Sequence, residues 1–218
     1  TIFVGVGLSM LIAAPIGAAA SQVGTLIMWA TEQAPLVMGI LVSVIVGVAL
    51  TLPISSAAIC AALGLTGLAG GAAVAGCCAQ MIGFAVMSYK ENGVGGLISQ
   101  GLGTSMLQMG NIIKNPRIWI APTLASAITG PLATCVFHFE MNGAAVSSGM
   151  GTCGLVGQIG VYTGWVSDIA AGTKAAITPM DWAAMVLLCF VLPAVLSVIF
   201  CEIERKMGWI KEGDLKLN

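Results

Sequence analysis

Between Gln33 and Tyr89 the chain reads QAPLVMGILVSVIVGVALTLPISSAAICAALGLTGLAGGAAVAGCCAQMIGFAVMSY, 57 residues without an Asp, Glu, Lys or Arg. A bilayer core takes about 20 apolar residues as a helix, because backbone groups in lipid must satisfy one another within the segment. This run must therefore hold at least two spans. Thr1–Thr31, Asn92–Ile113, Ile118–Phe139, Met141–Ser167 and Trp182–Cys201 are uncharged too. With 58% hydrophobic residues, 8% charged and a mean hydropathy of +1.00, the chain lies outside the range of soluble domains. The fold class is an all-α integral membrane protein, a multi-span helical bundle. A net charge of −1 and the lack of a basic, aromatic-interleaved stripe exclude nucleic acid as a partner.

The spans are predicted at Ile2–Ala20, Leu36–Ala62, Leu68–Met87, Arg117–Val136 and Trp182–Cys201. Pro35 opens the second, and Pro53-Ile54-Ser55-Ser56 interrupts it, since proline removes a donor and the hydroxyls can cap the freed groups. Gly93–Ile113 is uncharged but carries Ser99, Gln100, Thr104, Gln108 and Asn111, which suits a segment packed along the protein or at the interface. Gly149-Met150-Gly151-Thr152-Cys153-Gly154-Leu155-Val156-Gly157 makes a poor regular helix, and a re-entrant hairpin fits it. Irregular backbone at membrane depth survives only when buried in protein or lining a cavity. Lysine and arginine placement agrees: with Arg205, Lys206, Lys211 and Lys216 in the cytoplasm, a hairpin at Met141–Ser167 keeps Lys114 and Arg117 inside and puts the Asp168–Asp181 loop outside. Residues 1–202 are thus expected to be membrane-embedded and 203–218 to form a solvated cytoplasmic tail, with Glu202 and Lys206 paired at helical spacing.

Few residues are available for chemistry. The GxGxxG string at Gly149–Gly154 follows no strand and is not a dinucleotide fingerprint. His138 is the only histidine, so no multi-histidine metal site exists, and no cofactor or metal is expected. The seven cysteines, scattered through apolar segments, read as small buried side chains. Glu140 is the leading candidate: a carboxylate at the membrane costs about 2.5–3.5 kcal/mol on insertion scales and usually faces a cavity or partner. His138, two residues away, shares its face only on extended backbone. Asn142, Ser148, Thr152 and Gln158 complete a neutral set suited to sugar hydroxyls. The alternative is that His138 and Glu140 lie in a wetted outer loop. Trp119, Tyr162 and Trp165 could stack on a pyranose or serve as interfacial anchors, the latter preferred.

Lys114-Asn115-Pro116-Arg117-Ile118-Trp119-Ile120-Ala121-Pro122, Ala125–Pro131, Gly149–Gln158, and Pro53–Ala58 followed by Gly64–Ala73 resemble the phosphotransferase-system EIIC-like membrane family that includes the perfringolysin toxin regulator. The family usually has a serine near Cys153. The resemblance implies a sugar permease component, typically dimeric, in a bacterial inner membrane, with phosphoryl transfer by a separate IIB phosphocarrier protein. It also implies an alternative, a membrane sensor or regulator without transport. Members are longer at the N-terminus, so the sequence is expected to be N-terminally incomplete.

Overall fold

The computed structural model describes residues 2–217, with side chains from Gly17 onward. The helices are α1 (Ile2–Gln33), α2 (Pro35–Thr51), α3 (Ser56–Leu63), α4 (Gly67–Met87), α5 (Tyr89–Ile98), α6 (Met109–Lys114), α7 (Pro116–Val136), α8 (Ala145–Ser148), α9 (Val156–Ala170) and α10 (Pro179–Lys206). α4, α7 and α10 are long and apolar enough to cross a membrane, and α2 is a shorter apolar helix. The predicted first span continues past Ala20 to Gln33. The side chains of its first half lie outside the described residues. The second span is cut as the sequence foretold. α2 stops at Thr51, and after the Pro53 break the Ser55 hydroxyl accepts from the Ala58 N–H at 3.2 Å to cap α3. Gly64, at φ +63°, closes α3 in the left-handed conformation, which costs glycine nothing.

α4 is the axis of the bundle. Ala69 through Met81 are all buried, and α2, α7 and α10 pack around them. Small side chains let the backbones meet: a Cβ on Gly76 would overlap the carbonyl of Ser43, and one on Gly71 the carbonyl of Phe139. Close packing of this kind replaces the hydrophobic drive that lipid cannot supply. A polar knot crosses the same core. The buried Gln80 Oε1 accepts from Trp119 Nε1 at 2.9 Å and Thr51 Oγ1 at 3.3 Å, while its Nε2 donates to Thr123 Oγ1 at 3.3 Å and Ser126 Oγ at 3.5 Å. Thr51 also meets Ser105 at 2.9 Å. The Trp119 indole N–H is thus tied into the core while its ring stays half-buried.

The two ends of the bundle differ. At one, Gly67 and Met141 exchange backbone hydrogen bonds at 3.0 Å, and α4 and α10 begin where α7 ends. At the other, Lys90 pairs with Glu202 at 2.8 Å and Arg205 with Glu91 at 3.0 Å, and the Arg117 guanidinium lies 5.6 Å from the Trp209 ring centroid. The segment between α7 and α10 leaves and returns at the first end. Its short inward arm α8 and outward arm α9 form the predicted re-entrant hairpin, whose turn packs against Cys77 and Cys78 in the middle of α4. The segment between α4 and α7 leaves and returns at the basic end. It too dips inward, and its turn at Gly101 accepts from Thr152 Oγ1 of the opposing hairpin. Two broken segments thus meet turn to turn beside α4, so of the two expectations for Gly93–Ile113 the segment follows packing along the protein rather than lying at the interface.

The expected solvated tail is a strap. Glu202 pairs with Lys90 rather than Lys206. Beyond α10 the chain folds back, burying Ile210 and Leu215. Amides of Gly93–Ile113 and of the residue before it hold the strap: Asn92 and Gln108 donate to the Leu215 carbonyl at 2.8 and 2.9 Å, and Asn111 to that of Lys216 at 2.9 Å.

Candidate functional site

At the end away from the basic cluster α7 loosens into a π-turn, and Phe137 N–H reaches the Leu132 carbonyl at 3.0 Å. His138 follows at φ +43°, in the left-handed region that non-glycine residues seldom enter. That residue turns the chain into extended backbone, on which successive side chains alternate. Phe139 and Met141 go into the core at 3% and 0% exposure. His138, Glu140 and Asn142 point the other way and line one cavity of about 490 Å³, a size within the roughly 300–1,000 Å³ of small-molecule sites.

The opposite wall comes from the hairpin's outward arm, the following loop and the first turn of α10: Trp165, Asp168, Thr173, Lys174, Met180 and Asp181. Asp181 is fixed by a reciprocal capping box, its Oδ2 accepting from Thr178 N at 2.7 Å while Thr178 Oγ1 accepts from Asp181 N at 3.3 Å. Its Oδ1 takes the Lys174 ammonium at 2.8 Å. That ammonium also lies 5.6 Å from the Trp165 ring centroid, a cation–π distance. Trp165 is held edge-on to Trp182, centroids 5.6 Å apart.

Asn142 joins the two walls. Its Nδ2 donates to Glu140 Oε2 at 3.1 Å and to Asp168 Oδ2 at 2.9 Å. The two carboxylates are thus separated by no more than the span of one amide nitrogen's bonds. Glu140 is exposed, so water screens much of the repulsion between these like charges, and the neutral amide cancels none of the charge itself. Three carboxylates share the cavity with one lysine and one histidine, so acidic groups outnumber basic ones.

Of the candidate residues, the structure brings His138, Glu140 and Asn142 together and leaves three elsewhere. Ser148 Oγ donates to the Ala145 carbonyl at 2.7 Å. Thr152 bonds the facing turn at Gly101. Gln158 donates to the Cys78 sulfur at 3.2 Å and keeps a buried, unpartnered Oε1. These three lie on the hairpin's protein-facing side, where they satisfy backbone and helix packing instead of facing the cavity. Trp165 is buried at 5% exposure and belongs to the cavity wall, which corrects its reading as an interfacial anchor. Tyr162 and Trp182 are the exposed aromatics beside it. Asp168, Lys174 and Asp181 were absent from the sequence-based set. The signal was there, because the topology puts the Asp168–Asp181 loop and Glu140 at the same membrane face.

The architecture is that of a helical membrane bundle with opposed broken segments and a polar cavity at one end. Within that class the chain belongs to the family described as Phosphotransferase system, EIIC, which it matches over residues 1–217. No curated protein and no solved structure matches it.

Proposed function

We propose that this protein is the IIC-type permease component of a phosphoenolpyruvate-dependent sugar phosphotransferase system, and that it binds its sugar in the cavity around Glu140. The observation that carries the reading is the alternation at His138, Glu140 and Asn142, which presents three hydrogen-bonding side chains to the wall formed by Trp165 and Asp168. Carboxylate and amide groups accept and donate to sugar hydroxyls.

The cavity opens at the end of the bundle opposite the basic one, so the positive-inside rule makes this the outward-facing state. In this reading the hydrogen bond between the two turns, from Thr152 to Gly101, serves as the inner closure. Translocation follows by alternating access, with one hairpin moving against the α4 axis. A IIB phosphocarrier protein then delivers the phosphoryl group at the basic face. The protein works in a bacterial inner membrane as a homodimer.

Binding of a labelled neutral sugar panel to the purified full-length protein tests this, with Glu140→Gln alongside. Saturable binding weakened at least ten-fold in the variant is the expected result. Folded protein that binds no sugar would overturn the permease reading. Binding without IIB-dependent uptake in vesicles would instead favour a membrane sensor.

A further inference from the structure

The cavity's charge is more selective than its size. Glu140 and Asp168 share a single neutral donor, the Asn142 amide, and neither is engaged by a cation in the described residues, whose ion pairs are Lys90–Glu202, Lys174–Asp181 and Arg205–Glu91. On the far side of the same cavity the chain supplies its own demonstration of what fits there. The Lys174 ammonium sits in a half-cage of one carboxylate and one aromatic ring, 2.8 Å from Asp181 Oδ1 and 5.6 Å from the Trp165 centroid. A carboxylate beside an indole face is the usual recognition chemistry for an ammonium group. The Glu140–Asp168 pair offers a second cation seat in the same cavity, with two carboxylates in place of one.

We infer that the cavity takes a hydroxylated ligand bearing one ammonium group, of the amino-sugar class, with the ammonium between Glu140 and Asp168, and that it rejects anionic sugars. This rests on the reading of the cavity as the sugar site and narrows the substrate. A neutral sugar leaves two adjacent carboxylates mutually repelling. A sugar acid or sugar phosphate adds a third anion next to them, and like-charge juxtaposition is the strongest discriminator a polar site has. An ammonium relieves the repulsion and can still donate to both carboxylates.

The test compares glucosamine, glucose and gluconate by calorimetry on the full chain in detergent, at a pH where the amine is protonated. Glucosamine is expected to bind at least ten-fold more tightly than glucose, with no detectable binding of gluconate. Raising the salt concentration should shrink the preference, as screening requires. Glu140→Gln and Asp168→Asn, each carrying one carboxylate fewer, should lower the glucosamine-to-glucose affinity ratio several-fold. Glucose binding as tightly as glucosamine, or a ratio unmoved by salt and by both variants, overturns the ammonium assignment and leaves the sugar site standing. Failure of all three ligands to bind a folded protein overturns the site and the assignment together.

Discussion

Replacing Gln80 by leucine removes the polar knot while nearly keeping the volume. Gln80 is fully buried and uses both ends of its amide. The hydroxyls around it have other partners: Thr51 has Ser105, Thr123 donates to the Trp119 carbonyl at 2.7 Å, and Ser126 to the Pro122 carbonyl at 2.9 Å. The Trp119 indole N–H has none besides Gln80 Oε1 among the described residues. The variant therefore leaves one orphaned donor at membrane depth, which costs about 1–3 kcal/mol. The lost hydrogen bonds to hydroxyls that rebond elsewhere add little. We expect Gln80→Leu to destabilise the protein by about 2 kcal/mol in an SDS-titration unfolding experiment. Adding Trp119→Phe should recover much of that loss, because the orphan goes with the indole, giving a coupling of about 1–2 kcal/mol in a double-mutant cycle. A Gln80→Leu variant as stable as the parent, or additive losses in the double variant, would refute this account of the core.

Four other outcomes follow from the geometry. Gly71→Ala, whose new methyl overlaps the Phe139 carbonyl, should cost about 3 kcal/mol and disturb sugar binding through the adjoining His138–Glu140 strand. Equal stability and binding would show the approach to be looser than described. Arg205→Met strands Glu91, whose side chain is only 6% exposed, and should cost about 2–3 kcal/mol. Lys90→Met removes a pair on the surface and should leave the melting temperature unchanged. In a background without the native cysteines, single cysteines at Glu140 and at Thr173, which flank the hairpin, should react with a membrane-impermeant maleimide from the same side of a sealed vesicle, and labelling of Glu140 and Thr173 from opposite sides would break the re-entrant topology.

Local chemistry made some of this legible in the sequence. The Pro53–Ser56 break, the spans predicted at Leu68–Met87, Arg117–Val136 and Trp182–Cys201 and the glycine-dense hairpin each depend on residues a few positions apart, and each is where the residues put it. The extended stretch at His138–Asn142 was legible only as a condition, since nothing nearby in sequence states that α7 unwinds there. The inward dip of Gly93–Ile113 was hidden because its amides find their partners, Leu215 and Lys216, more than a hundred positions away. Ser148, Thr152 and Gln158 share the same residue chemistry as Asn142. Which side of the hairpin each one faces is a tertiary property, and in a chain apolar on every face the hydrophobic pattern does not report it.

The sheathed position of α4 inverts an ordering familiar from water-soluble proteins. Of α4, α7 and α10 it is the most buried while being less apolar than α10, which is largely uncovered. Lipid, as the solvent, has no quarrel with either of them. What keeps α4 at the centre is that only its glycines, alanines and one glutamine fit there, so the specificity of this fold is written in shape and hydrogen bonding, and greasiness alone would let the helices change places.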